Sequence, residues 1–211
     1  MRADDLYWLR DLMSEKCIER GDFTLASGLP AKYYYDGRFA TLNPRAAKVI
    51  GRLVLELVRE SGAEAVGGMA VGADPIAASV ALSSLDDGGP EVPAFIVRPA
   101  AKEHGKRDRV SASFSSDGRD LLSPGRRVAI VDDVITTGGS VREAISAVKE
   151  LGCEIVLVVA LVERHERGGL KLQAEGYNFK RLFYTDKNGA LLVDEQLLHR
   201  TSGLSGEPVL R

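Results

Sequence analysis

The chain has 211 residues, 45% of them hydrophobic and 27% charged, with a formal net charge of −2. That is enough apolar chain to bury the core of one domain with a small appendage, and too nearly neutral to present the field of a nucleic-acid or membrane-surface binder. Cys17 and Cys153 are too few and too far apart for a disulfide framework or a zinc site, so both read as small core residues in a reducing compartment.

From about Asp4 to Arg20, Leu6, Leu9, Leu12 and Met13 recur at helical spacing and predict a leading helix. Acids and bases are scattered through Met1–Arg20, which excludes a signal-peptide run, and no later segment reaches membrane-spanning length. A soluble cytoplasmic protein is expected. Phe23-Thr24-Leu25-Ala26-Ser27-Gly28 reads as a strand and turn, with Tyr33-Tyr34-Tyr35-Asp36 as its antiparallel partner. Asn43-Pro44 then opens a helix with a cap and a first-turn proline; Ala47, Ile50, Leu53, Val54, Leu57 and Val58 continue it, and Ser61-Gly62 stops it.

Strand and helix alternate from there. Ala65-Val66-Gly67-Gly68 is a strand, Pro75–Ala81 a helix, Val92–Val97 a strand, Val128–Val131 a strand and Glu154–Val162 a long apolar one. This rhythm predicts an α/β fold, a central, mainly parallel sheet flanked by helices on both faces. Sites in such sheets lie beyond the carboxyl ends of the strands, which gathers Gly68, Arg98, Asp132 and Arg164. Between strands, Arg98–Asp120 is a long, weakly periodic basic loop with Arg98, Lys102, Lys106, Arg107 and Arg109, and a loop of that length in a compact domain is usually functional or disordered. The last stretch, Thr201–Arg211, has the Ser/Gly/Pro character of a loose tail.

The chemistry concentrates in Val128–Val141. An apolar strand runs into Asp132 and Asp133, where it is expected to emerge into solvent; Val134-Ile135-Thr136-Thr137-Gly138-Gly139-Ser140 follows, and then Val141, Ile145 and Val148 mark one face of a helix. Thr136, Thr137 and Ser140 offer hydroxyls, while Gly138 and Gly139 let backbone N–H groups converge on an anion at the positive end of that helix. A lone Thr-Gly-Gly is an ordinary capped turn. With tandem carboxylates directly before it, able to accept hydrogen bonds from sugar hydroxyls or to hold a hydrated metal, the motif suits a sugar phosphate. It is neither a Walker loop, for no Gly-Lys-Ser/Thr closes it, nor a dinucleotide fingerprint, for the spaced glycines are missing.

This motif resembles the signature of the type I phosphoribosyltransferases, which bind 5-phosphoribosyl 1-diphosphate (PRPP), and the rest of the chain narrows the resemblance to orotate phosphoribosyltransferase. Phe23-Thr24-Leu25 with Ser27-Gly28, Tyr33–Asp36, Gly67–Ala77, Lys102-Glu103-His104-Gly105, the PRPP motif and Glu163-Arg164 stand in that family's order and near its spacings. The resemblance implies the type I fold over residues 1–211, a single domain with a small hood built from about residues 1–40 and the chain end. It implies transfer of a phosphoribosyl group to N1 of orotate in pyrimidine biosynthesis, and a homodimer whose loops reach the neighbouring active site. It implies magnesium held mainly by PRPP with water-mediated help from Asp132 and Asp133, and no dedicated protein ligands. By the same resemblance, Asp132 and Asp133 meet the ribose hydroxyls, and Thr136–Ser140 meet the 5′-phosphate. Arg98, Lys102 and His104 gather on the pyrophosphate, Lys102 and His104 as the catalytic pair. Tyr34 and Tyr35 flank the base, and Thr136 and Arg164 contact orotate, Arg164 through its carboxylate.

Three positions depart from the pattern. Pro99 stands where many members carry lysine after the loop arginine, Ala26 where some carry lysine, and Val71-Gly72 where some carry Tyr-Lys. Pro99 removes a cation and stiffens the loop hinge, so Lys106, Arg107 or Arg109 compensates or PRPP binds weakly. A transferase for a purine base and a non-catalytic PRPP sensor are the competing readings. Arg164 argues against the first, because a purine has no carboxylate, and the intact Lys102–Gly105 argues against the second.

Overall fold

The computed structural model describes residues 3–24, 30–99, 109–112 and 120–198. In chain order these form α1 (Ala3–Lys16), β1 (Ile18–Thr24), β2 (Pro30–Tyr35), α2 (Arg38–Thr41), α3 (Pro44–Ser61), β3 (Ala65–Met69), α4 (Asp74–Ser83), β4 (Ala94–Val97) and β5 (Val110–Ala112). They continue with β6 (Arg127–Ile135), α5 (Gly139–Lys149), β7 (Glu154–Glu163), α6 (Gly168–Ala174), β8 (Phe179–Thr185), β9 (Leu191–Val193) and α7 (Glu195–Leu198). Seven strands form one sheet in the order β5-β4-β3-β6-β7-β8-β9. The five inner strands are mutually parallel, and β5 and β9 run antiparallel at the two edges.

The centre of the sheet shows why both faces are covered. Along β6, Val128 and Ile130 join one apolar cluster with Val141, Ile145 and Val148 of α5, while Ala129 and Val131 join the other with Ile50, Leu53 and Val54 of α3. A strand sends successive side chains to opposite faces, so a continuous apolar run requires a helix layer on each side. The α3 helix is fixed at both ends as its sequence predicts: Asn43 Oδ1 accepts from the N–H groups of Arg45 and Ala46 at 3.1 Å, and Gly62 closes the helix in the left-handed conformation at φ 67°.

As expected, the leading helix packs elsewhere in the chain, Leu6, Leu9 and Met13 of α1 sharing a core with α3 and with Leu191, Val193 and Leu197, and the small antiparallel unit is the β1–β2 hairpin. Three expectations change. The leading helix stops at Lys16, because Ile18, Glu19 and Arg20 pair with Tyr35, Tyr34 and Tyr33 and the ladder overrides helical propensity. The expected strand from Val92 begins at Ala94, since Pro93 has no N–H and contributes only its carbonyl, to Val66. The basic loop contains a short strand, β5, paired with β4. The chain end from residue 199 lies outside the described residues.

Candidate active site

Strands β3, β4, β6 and β7 run parallel and end towards one edge of the sheet, Met69 level with Val97 and, further on, Ile135 level with Glu163. Arg98 follows β4, Arg164 follows β7, and Gly68 lies against the Val131 carbonyl, which a Cβ there would meet at 2.1 Å. One rim of the sheet thus carries Gly68, Arg98, the acid pair and Arg164. Lys102 and His104 lie outside the described residues.

Behind the rim, β6 runs on through the acids. Asp132 pairs in register with Ala160 and the ladder with β7 continues to Ile135 opposite Glu163, so the carboxylates do not emerge into solvent at the strand end as expected. Asp132 is only 5% exposed; it accepts a hydrogen bond from Ser140 Oγ at 2.9 Å and another from the Asp133 N–H at 3.1 Å. Burial, reinforced by the neighbouring Asp133 charge and opposed by the Ser140 hydroxyl, pushes its pKa up to about 7. Asp133 is half-buried and also raised, mainly by burial. Its carboxylate lies where the turn after β2 and the loop after β3 meet: a Cβ on Gly37 would stand 2.7 Å, and one on Gly72 2.3 Å, from its oxygens. Both acids hold hydrogen-bond acceptors in a shielded groove, where hydroxyl donors of a sugar can compensate their burial.

Thr136, Thr137 and Gly138 form the turn into α5, with Gly138 at φ 84° as its N-cap. The carbonyls are engaged within the chain: Thr136 O accepts from the Gly168 N–H at 2.9 Å, and Thr137 O from Arg142 Nη1 at 2.9 Å at the surface. Among the described residues no side chain caps the first turn of α5. Its N–H groups therefore remain available to an anion beside the exposed Thr137, Gly139 and Ser140. Gly168 holds the turn from behind, close enough that a Cβ would lie 2.3 Å from Thr136 O and 2.7 Å from Gly138 N.

At the end of β7, Glu163 is fully buried, paired with Arg181 and with Arg167 at 3.6 Å, and accepts the Leu170 N–H at 3.0 Å. Arg164 follows, its N–H bonded to Ile135 O at 2.9 Å and its side chain only 3% exposed. The guanidinium carbon sits 4.5 Å over the ring of Tyr33, and Nη2 lies 3.3 Å from Glu166 Oε1. Nε and Nη2 are buried with no hydrogen-bond acceptor among the described residues. Tyr34 and Tyr35 lie on opposite sides of β2, as strand alternation requires. Tyr34 is exposed beside Phe23, at a ring separation of 5.8 Å, whereas Tyr35 is buried, its phenol pushed up by burial and by the proximity of Cys17 and Asp133.

A family model described as "Phosphoribosyl transferase domain" matches residues 41–181. The chain is 42% identical to the orotate phosphoribosyltransferase of Rhodopirellula baltica over 185 residues, 84% of this chain and 91% of that one. It is 39% identical to that of Aquifex aeolicus over 170 residues, 81% of this chain and 88% of that one. The chain belongs to the orotate phosphoribosyltransferases. Among solved structures, the Mycobacterium tuberculosis orotate phosphoribosyltransferase in complex with PRPP superposes with a TM-score of 0.66 at 33% identity, covering 84% of this chain and 94% of that one. The type I phosphoribosyltransferase fold is thereby established for this chain.

Three residues given no role in the sequence analysis shape this rim: Tyr33 over Arg164, Gly168 behind the turn into α5, and Gly37 beside Asp133. Alternation along β2 could have separated Tyr33 from Tyr34, but nothing local connects Gly168 to Thr136. Among the described residues no group of three or more His, Cys, Asp or Glu side chains is arranged to hold a metal ion. What the rim does supply is the oxygen pair of Asp132 and Asp133, hard donors that suit a hydrated magnesium ion brought by a diphosphate.

Proposed function

We propose that this chain transfers the phosphoribosyl group of PRPP to N1 of orotate, forming orotidine 5′-monophosphate and pyrophosphate in pyrimidine biosynthesis, and that the rim residues divide the work as follows. The turn Thr136–Ser140 receives the 5′-phosphate, Val134 and Ile135 carry the strand into it, and Asp132 and Asp133 accept the ribose hydroxyls. Thr136 and Arg164 contact orotate. Tyr34 and Tyr35 flank the base, Tyr34 with its exposed ring and Tyr35 from the buried side of β2. The observation that carries this reading is Arg164, a buried guanidinium at the same rim as the turn into α5, whose Nε and Nη2 make no hydrogen bond among the described residues and whose one ion pair, from Nη2 to Glu166, is 3.3 Å long. Leaving such groups unpaired is costly, and a planar carboxylate matches the fork.

Bond formation between orotate N1 and ribose C1 accompanies loss of pyrophosphate, so positive charge builds on the sugar and negative charge on the leaving group. Arg98, Lys102 and His104 meet that negative charge, Lys102 as the principal catalytic cation and His104 as a second donor. Asp132 and Asp133 would help to hold, through water, the magnesium that accompanies PRPP, and that ion would supply charge neutralisation to the diphosphate.

The chain acts as a homodimer in the cytoplasm. Phe39, Leu42 and Val71 are 65%, 69% and 73% exposed, and all three flank the segments that meet Asp133, an apolar rim suited to a second copy. Cys17 and Cys153 are free and buried, in keeping with a reducing compartment. Mixing purified protein with orotate, PRPP and magnesium and following loss of orotate absorbance tests the activity, with adenine, hypoxanthine and uracil as alternative acceptors. Turnover of a purine in preference to orotate, or of no base, would overturn it.

A further inference from the structure

The buried Arg164 raises a question of mechanics: what keeps its guanidinium in place without using up the N–H groups that a ligand needs? Ion pairs hold other arginines of this chain by their edges, as Glu175 holds Arg142 through Nε and Nη2. Such a partner would consume the fork of Arg164. Instead the guanidinium lies 4.5 Å over the face of the Tyr33 ring, and Glu166 approaches only Nη2, at 3.3 Å. A ring face attracts the cation through its quadrupole and occupies none of the in-plane donors.

Tyr33 is itself held on several sides. It is 1% exposed, and its hydroxyl lies 2.8 Å from Thr185 Oγ1 and 3.0 Å from His165 Nδ1. Thr185 Oγ1 also accepts the His165 N–H at 3.1 Å, which ties the end of β8 to the residue directly after Arg164. The turn after β8 closes on the ring at Gly189, where a Cβ would lie 2.7 Å from Tyr33 Cγ.

We infer that Tyr33 is a positioning residue for the base site: it fixes the Arg164 guanidinium by its face, which leaves Nε unbonded and Nη2 with only the 3.3 Å Glu166 contact to exchange for the substrate carboxylate, and Thr185 and His165 hold the ring for that task. The inference rests on the assignment of Arg164 to the carboxylate of orotate.

A double-mutant cycle on the full-length protein tests it, using Tyr33→Leu, Arg164→Ala and the two combined, with KM for orotate, KM for PRPP and kcat measured for each. Expected are a roughly tenfold rise in the orotate KM for Tyr33→Leu with an unchanged PRPP KM, and no further rise when the substitution is added to Arg164→Ala. Tyr33→Phe keeps the ring face and loses only the hydroxyl contacts, so it should retain most of the orotate affinity; should Tyr33→Leu fail to fold, Tyr33→Met, which also removes the ring face, runs the same cycle. Effects that add independently of Arg164, or a PRPP KM that rises equally, would overturn the inference while leaving Arg164 in its role. An orotate KM indifferent to Arg164→Ala in an active enzyme would remove the underlying assignment and this inference with it.

Discussion

Ser140 donates its hydroxyl to Asp132 Oδ2 across 2.9 Å, so the first turn of α5 and the buried acid of β6 are one hydrogen-bonded unit. That bond favours the ionised carboxylate, whereas burial and Asp133 favour the neutral acid and prevail, lifting the pKa from 3.8 to about 7. The folded chain therefore retains a proton that the unfolded chain releases. The stability this group contributes is full below about pH 4 and is lost as pH rises towards 7. The slope is at most about 1.4 kcal/mol per pH unit. Denaturant titrations between these limits should show the decline in the parent and a shallower one in Asp132→Asn. Ser140→Ala, which removes the opposing bond, should carry the decline to higher pH. Identical profiles for parent and Asp132→Asn would place the titration elsewhere.

Gly168 supports the turn into α5, the proposed phosphate seat, by contact with backbone, which cannot rotate away. A methyl group there would stand 2.3 Å from Thr136 O and 2.5 Å from Thr137 C. Gly168→Ala must push the turn forward or break the Gly168 N–H bond to Thr136, and such overpacking costs roughly 1–3 kcal/mol. The expected result is a fall in melting temperature together with at least a tenfold loss of affinity for ribose 5-phosphate by calorimetry, roughly 1.4 kcal/mol. Affinity retained at full strength would show that the turn does not bind the phosphate in this geometry.

The elements legible in the sequence were those with local causes. Asn43 and Gly62 mark the ends of α3 because caps are made within a turn, and the apolar runs of β6 and β7 announce a sheet covered on both faces. The turn into α5 needs its left-handed Gly138, and that too is local. What escaped depended on distant partners. β8 carries Lys180 and Arg181 among its apolar residues and is a strand because β7 and β9 pair with it. The burial of Asp132 comes from ladder continuation to Ile135, which no property of an Asp-Asp pair reveals. Alternation places Tyr33 and Tyr35 on one side of β2, yet only the approach of β7 and the turn after β8 decides that Tyr33 takes the guanidinium.

Pro99 bears on the supply of cations to the diphosphate. Of the cations considered as substitutes, Arg109 is already engaged: Nε donates to Arg98 O at 3.1 Å, and Nη2 to Pro99 O at 3.4 Å and Glu143 Oε2 at 2.9 Å. It braces the start of the loop against α5, which leaves two alternatives: Lys106 or Arg107, both outside the described residues, compensates, or PRPP binds weakly. Pro99→Lys restores a cation beside Arg98 and should lower the PRPP KM about fivefold, roughly 1 kcal/mol for one added charge in a solvated site. An unchanged KM for PRPP would show that the other loop cations already suffice.

Lys102 is expected to act on the departing pyrophosphate, and that role separates rate from binding. Charge on the leaving group is greater in the transition state than in bound PRPP, and an ammonium acts as a compact point charge, so its contribution is larger to turnover than to affinity. Lys102→Ala should lower kcat about a hundredfold, roughly 3 kcal/mol, while the Kd for PRPP changes by much less. Arg98→Ala offers a contrast, because Arg98 follows directly from β4 and its charge opposes the burial that raises the Asp74 pKa; a cation at so fixed a position is expected to meet the diphosphate in the ground state and the transition state alike. It should weaken PRPP binding and slow turnover together. Pre-steady-state rates with PRPP affinities from calorimetry distinguish the two patterns, and a Lys102→Ala enzyme that keeps its turnover number while losing PRPP affinity would make Lys102 a binding residue only.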